Sequence, residues 1–462
     1  MYNDCYRKQY FNIGLFPDKH VNTLNILKKN ALEIFFAGLK AADPDILIRK
    51  LFLLEGNLLK IEDRIYNLDK YKNIYIVGFG KASGFMAATL EELLMKRINA
   101  GIVNVRNGYA APCKFIKVNA AGHPIPDEAG IKGTLEIVRL IKDVEENDLV
   151  FCLISGGGSA LFELPVDGIS LDDIQKITLL LLNCGARIDE VNAIRKHISL
   201  VKGGRLVNMC KAEIISLLLS DVVNDTLSDI ASGPTSPDAS TFQDCKIILM
   251  KYDLFHKIPV SIKKHIQNGL NGTVKETPKS TDKIFDKVHN IIIGNNRTAL
   301  KASYQKAIEL GYNAFILSSY IKGEAREVAM VFSAIAREIH SYGGPVKRPA
   351  CIITGGETTV RVRGNGMGGR NQELVLSAAM EIDGLENTVI LSAGTDGIDG
   401  NTDAAGAIAD GSTVMRAKRI KMYPETYLDD NNSYSFFKGL NDLIVTGPTR
   451  TNVMDILLLI VG

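Results

Sequence analysis

No tryptophan occurs in the 462 residues, and neither sign of charge dominates: 54 Lys and Arg against 52 Asp and Glu leave a net charge of +2. That balance lacks the basic footprint of a nucleic-acid binder. No run of 18 or more apolar residues appears, so no membrane-spanning helix is expected. The first twenty residues contain no apolar signal core, so neither a secretory leader nor a location outside the cytoplasm is expected. The seven cysteines, at 5, 113, 152, 184, 210, 245 and 351, include no C-x-x-C pair. Several lie in apolar runs, which reads as buried, reduced thiols. H-E-x-x-H, Cys/His zinc spacing, G-x-S-x-G and the G-x-x-x-x-G-K-[ST] phosphate loop are all missing.

What is present is an alternation. Residues 21–42 carry helical periodicity, and "ADPDILIRKLF" restarts a helix at Asp43 with Pro44 in its first turn. "NLLKIEDRIYNL" reads as short antiparallel strands. From Lys72 onward, strand, glycine turn and helix recur in "NIYIVGFGKASGFMAATLEELL", "NDLVFCLISGGGSALF" and "HNIIIGNNRTALKASYQKAIELG". "AEIISLLLSDVVND", "KRPACIITGGETTV" and "NTVILSAGTDG" are further apolar strands with polar ends. Short strands that are apolar throughout belong in sheets covered on both faces. The expected fold is α/β with mostly parallel sheets in two domains, 20–275 and 285–462, divided in the aperiodic stretch 271–283. Such sheets take ligands at the carboxyl ends of their strands, and the unusual polar loops fall there.

The loop "VGFGKASG" sits where a dinucleotide fingerprint would, with its glycines at Gly78, Gly80 and Gly84 rather than at G-x-G-x-x-G spacing. The acid that would hold a ribose is replaced by Arg106 and Asn107 at the end of the next strand. Lys81 in the turn is either an exposed lysine or a contact to a phosphate or carboxylate. Ser155, Gly156, Gly157, Gly158 and Ser159 form a glycine-rich turn suited to an anion nest. Arg195, Lys196, His197, Lys202 and Arg205 lie in a helical pattern, which reads by default as a solvated basic face, with a phosphate-binding cluster as the alternative. Asp221, Asp225 and Asp229 follow a strand and could hold Mg2+ with substrate phosphates or cap a helix. Glu357, Arg370 and Asn371 lie in or beside a glycine-rich segment that leads into an apolar helix, a setting for a bidentate phosphate contact by Arg370. Asp396, Asp399 and Asp403 stand among glycines without calcium-loop spacing. The inventory is one of anion nests, cations and carboxylates, the requirements of phosphoryl transfer.

Together these loops resemble the type-2 glycerate kinase family, whose C-terminal part is the MOFRL domain. The resemblance rests on "GFGKAS" around Lys81, "SGGGSALFELP" at 155–165, "KHISLVKGGRL" at 196–206, "SDVVNDTLSDIASGPTSPD" at 220–238, "GETTV" at 356–360, "GMGGRNQELVLSAA" at 366–379, "SAGTDGIDGNTDAAGA" at 392–407 and "TGPTRTNVMD" at 446–455. It spans nearly the whole chain from about residue 25. It implies a larger Rossmann-like N-terminal domain, a smaller C-terminal α/β domain and an active-site cleft between them. It also implies ATP- and Mg2+-dependent phosphorylation of D-glycerate, to 2-phospho-D-glycerate, with Lys81 and Arg370 as catalytic residues. Ser155–Ser159, Lys202, Asn295, Glu357 and Asn371 are then expected to bind substrate or phosphate, and Asp221, Asp225 or Asp396 to bind metal or act as base. Arg370→Ala should abolish turnover and leave the fold intact. The expected partners are D-glycerate and ATP, with no nucleic acid and no membrane, and a homodimer is one option. The alternatives are an NAD(P)H-dependent hydroxypyruvate reductase, disfavoured by the missing ribose acid, and a kinase for another small hydroxy acid.

The chain departs from the family pattern in two places. Asn224 and Thr226 replace a glycine and an aspartate after Val223, and Arg450 replaces a glycine in "TGPTRTN". Asn tolerates the left-handed region, so the turn at 224 is expected to survive.

Overall fold

The computed structural model describes residues 19–462, with side chains from Leu24 onward. The N-terminal stretch and Cys5 lie outside the described residues. The chain forms two compact units. One comprises Ala42–Asn295 and Arg450–Val453, and the other takes the first described helix, α1 (Lys19–Ala41), with Asn296–Thr449 and Met454–Gly462. The boundary therefore falls after Asn295 rather than within 271–283. The expected third strand–turn–helix repeat is split by it. Its strand completes one sheet, while its helix begins the other unit and packs against α1.

In the first unit Asp43 accepts a bond from Asp45 N and caps α2 (Pro44–Leu51), as the sequence suggests. A small antiparallel sheet of Phe52–Glu55, Leu58–Ile61 and Arg64–Asn67 follows. The main sheet contains β1 (Ile74–Phe79), β2 (Ile98–Arg106), β3 (Ile116–Ala121), β4 (Leu149–Ser155), β5 (Glu213–Leu219) and β6 (Val288–Gly294). All its pairings are parallel, in the order β3-β2-β1-β4-β5-β6. Strand β4, "LVFCLIS", is buried at every position, so both faces are covered. Helices α3 (Ser83–Leu94) and α4 (Glu128–Asp143) pack on it. The order reverses between β1 and β4, and the crevice at such a switch point is where doubly wound sheets bind ligands. A helical satellite core, built on residues such as Ile177, Ile194, Phe242 and Ile262, contains α5 (Ile188–His197).

The second unit opens with α6 (Asn296–Glu309), includes α7 (Ala325–Tyr342), and carries β7 (Asn313–Ile321), β8 (Ala350–Gly356), β9 (Thr388–Gly394), β10 (Gly406–Asp410), β11 (Leu443–Ile444) and β12 (Asp455–Val461). The order is β7-β8-β12-β9-β10-β11. Only β7 and β8 are parallel; β12 runs antiparallel to both its neighbours. The α/β class stands, and the expectation of mostly parallel strands is corrected for this sheet. The C-terminal run "DILLLIV" inserts centrally in the reversed sense, because the chain returns to β8 and β9 from their glycine-loop ends.

Helix α1 is tied to this unit by Lys28, whose ammonium lies 2.7 Å from Asp410 Oδ2 and 2.8 Å from Asp442 Oδ1, all three side chains being buried. Arg416 completes the cluster at 2.5 Å from Asp442. Burial alone would raise the Asp410 pKa, but the charges of Lys28 and Arg416 hold it at about 2. Removing one partner strands buried charge, so Lys28→Met should lose roughly 3–5 kcal/mol in urea unfolding. The Asp410 contribution is present above the ordinary carboxylate pKa and should be lost as pH falls from about 4 through about 2.

Candidate functional site

The loops after β1 and β4 are built against each other. Lys81 N donates to Gly156 O at 2.8 Å, and Ala82 N donates to Ser155 Oγ at 2.9 Å. A Cβ on Gly80, whose φ is +129°, would stand 2.3 Å from Ser155 Oγ. Glycine is therefore required at position 80 for this approach. The turn continues through Gly157, at φ +81°, into the single helical turn Gly158–Leu161, whose first N–H groups have no intrahelical acceptors. Lys81 is only 9% exposed, which excludes the solvated-lysine alternative. Its stem and the edge of the His123 imidazole converge on Gly157, where a Cβ would lie 3.4 Å from Lys81 Cγ and 3.0 Å from His123 Nε2. The sequence reading passed over His123, since "AGHPIPD" carries no periodic or catalytic spacing.

The loop after β5 joins the same strand ends. Asp221 Oδ2 accepts from Asn452 Nδ2 at 3.1 Å. Both groups lie over Gly156, where a Cβ would sit 2.1 Å from each. Asn224 and Asp225 have φ of +81° and +54°, so Asn does occupy the left-handed position left by the missing glycine. Asn295 donates to Asp225 Oδ2 at 2.6 Å, bringing two expected site residues together. Ala231 and Ser232 also have positive φ, a strain of about 1–3 kcal/mol each for such residues. That conformation puts Ser232 Oγ 2.9 Å from Ser159 Oγ and lets it donate to Asn192 Oδ1 at 3.0 Å.

The basic segment is not a solvated face. Lys196 meets Asp238 at 3.3 Å, His197 meets Glu276 at 3.0 Å, and both residues are buried. Lys202 is fully buried and donates to Phe162 O at 2.6 Å and Glu163 Oε2 at 2.8 Å. Its ammonium is directed at the protein interior rather than at a ligand.

In the second unit Arg370 opens α8 (Arg370–Glu381). Asp455 takes two of its five donors, with Nε at 2.6 Å and Nη2 at 2.9 Å, and Glu357 Oε1 lies 2.9 Å from Nη1. Burial weighs against the guanidinium charge, and Asp455 and Glu357 outweigh it, holding the pKa above the usual arginine range. Asp455 is 5% exposed, so Arg370→Ala strands a buried carboxylate. The expectation that this substitution leaves the fold intact is therefore revised. The first turn of α8 is not an open anion site: Asp399 Oδ1 accepts from Asn371 N at 3.1 Å and Oδ2 from Gln372 N at 2.8 Å. Asn371 also accepts from Ser392 Oγ at 2.5 Å and is 1% exposed. It helps to line, with Asp455 and Thr354, a cavity of ≈ 20 Å³, room for about one water. Asp396 accepts from Ile398 N at 3.1 Å within its own turn. Among the described residues, no group of three or more His, Cys, Asp or Glu is arranged to hold a metal.

Burial pushes the Asp399 carboxyl up to about 6, against the two amide bonds, with Asp455 adding repulsion. The folded state then holds more protons than the unfolded chain between pH 4 and 6. Stability from this group is full below about pH 4 and should be lost as pH rises through about 6. Carboxyl-labelled NMR should show an aspartate titrating near 6 that disappears in Asp399→Asn.

Two families match separate stretches of the chain. Residues 30–267 match a family described as a domain of unknown function, DUF4147, and residues 350–455 match the MOFRL family. The chain is 42% identical to glycerate 2-kinase of Pyrococcus horikoshii, over 94% of this chain and 97% of that protein. A protein of Agrobacterium vitis carrying a hydroxypyruvate reductase name is 38% identical over 84% of this chain and 99% of its own. A crystal structure of glycerate kinase from Thermotoga maritima has a TM-score of 0.81 at 40% identity, covering 95% of this chain and all of that one.

Proposed function

The chain belongs to the type-2 glycerate kinase family, and from that membership we propose that it transfers the γ-phosphoryl group of ATP to the 2-hydroxyl of D-glycerate. The observation that carries the reading is the Lys81 turn locked against the Ser155–Ser159 turn at the switch point of the parallel sheet. A lysine beside successive backbone N–H groups is a phosphate-binding arrangement. No ribose acid follows β2, which ends in Arg106. In the proposed step the glycerate hydroxyl oxygen bonds to the γ-phosphorus as the bond to the β–γ bridging oxygen breaks. ADP leaves, and the hydroxyl proton passes to a carboxylate.

We assign Lys81 to the developing phosphoryl charge and the Gly156–Ser159 turn to the phosphate oxygens. Arg370, with donors left over from Asp455, acts on substrate charge from the second unit, held there by Glu357 and Asp455. Mg2+ suits the carboxylates of Asp221 and Asp225, which accept from the side-chain amides of Asn452 and Asn295. Such a metal is commonly held by one or two carboxylates and the substrate phosphates, and it neutralises phosphate charge. Asp225 or Asp396 is the candidate base, and Asn295 orients Asp225. Lys202 is a buried scaffold residue in this scheme, and Asn371 supports Asp399.

The test is ADP release by the purified protein with ATP, Mg2+ and D-glycerate, with phosphorus NMR of the product. Glycerate-dependent turnover giving 2-phosphoglycerate is expected, and Lys81→Met should lower kcat by about 10³-fold or more, as loss of a transition-state cation does. A 3-phosphoglycerate resonance would overturn the regiochemistry. NADH oxidation with hydroxypyruvate and no ADP release would sink the kinase reading. Arg370→Lys, which keeps a charge beside Asp455, is the informative variant at that position.

A further inference from the structure

Two cations of the basic segment stand apart from the rest: Arg205, whose Nε and Nη2 are buried without a hydrogen-bond partner among the described residues, and Arg195. Lys196, His197 and Lys202 each have a carboxylate partner. Among the described residues Arg195 makes no hydrogen bond and no ion pair. Its side chain is only partly exposed. Glu163 is near enough to favour its charge, yet Glu163 Oε2 is taken by Lys202 at 2.8 Å and Oε1 by Leu164 N at 3.0 Å. Two cations thus face one carboxylate, leaving a positive charge uncompensated. Burial lowers the Arg195 pKa, with Glu163 opposing. A guanidinium held this way without a partner is unfavourable unless an anion completes it.

Its surroundings say where that anion would be. On α5, Asn192 and Arg195 are three residues apart and share a face. Asn192 accepts from Ser232, and Ser232 touches Ser159 of the glycine turn. Glu163, whose charge favours that of Arg195, follows that same turn by four residues. Arg195 is therefore linked to that turn twice, along α5 through Asn192 and Ser232 and by charge through Glu163. We propose that Arg195 binds the carboxylate of the acceptor hydroxy acid, with the partly exposed Ser159 facing its hydroxyls. The inference rests on the kinase reading and adds a specificity-determining residue to it. A planar, bidentate guanidinium matches a carboxylate, whereas the glycine turn and Lys81 are matched to tetrahedral phosphate.

The test compares wild type with Arg195→Gln and Arg195→Lys. With the wild type turning over, KM for D-glycerate should rise roughly 10- to 100-fold in Arg195→Gln, the loss of charge-assisted hydrogen bonds, while KM for ATP changes less than about twofold. Calorimetric titration with D-glycerate alone should show the same weakening, so the inference is tested even if wild-type turnover fails. Because Arg195 supports no protein partner, its replacement should leave Tm unchanged or raised. A lowered Tm with unchanged glycerate affinity would make it a structural residue and overturn the proposal. A rise in KM for ATP alone would assign the guanidinium to a nucleotide phosphate and equally overturn it. Arg195→Lys should recover only part of the affinity, since a point charge cannot make the bidentate contact.

Discussion

The approach of two strand-end turns to within contact distance is the constraint on which the first unit's site depends. Gly80 has no room for a Cβ against Ser155, and Gly156 has none against Asp221 and Asn452. A parallel sheet supplies the geometry, since adjacent strands β1 and β4 end on the same edge. The two missing Cβ atoms let the loops close. Once they are closed, the Lys81 stem runs along Gly157, beside the edge of the His123 ring. The Lys81 stem is placed against the glycine turn by backbone packing, whereas the Lys202 ammonium is directed at Glu163 and the Phe162 carbonyl.

The second unit solves the same placement problem with charge. Arg370 is fixed by two carboxylates, and Asp399 fills the amide groups at the start of α8. An arginine with five donors can satisfy a bidentate partner and still present N–H groups. A lysine fixed equally well would have less to offer, which rationalises the different cations in the two units.

Much of this was legible in the sequence because local rules govern it. The Asp43 cap, the β1 and β4 turns and the left-handed position at Asn224 each depend on a few neighbouring residues. What was not legible depends on distance along the chain. Lys196, His197 and Lys202 looked like a solvated face because their partners Asp238, Glu276 and Glu163 lie 42, 79 and 39 residues away. The Arg370–Asp455 pair spans 85 residues. Strand sense is similarly hidden: "DILLLIV" is apolar at nearly every position, so its burial pattern is the same in either direction. The boundary after Asn295 divides a stretch that is locally a good strand, turn and helix, and only the pairing of β6 with β5 reveals the split.

Buried charge offers a sharper criterion than motif spacing for separating scaffold from site. A buried cation with a dedicated carboxylate and carbonyl, as at Lys202, has its solvation replaced by the protein and gains little from a ligand. A cation whose nearby carboxylate is already engaged has not. By that measure the run "RKHISLVK" contains both kinds within eight residues: Lys196, His197 and Lys202 stabilise the fold, and Arg195 remains for an anion. The strained backbone at Ala231 and Ser232 fits the same division. Strain of that kind survives where it positions a group for use, and the group positioned is the hydroxyl that links Asn192 to the Ser155–Ser159 turn.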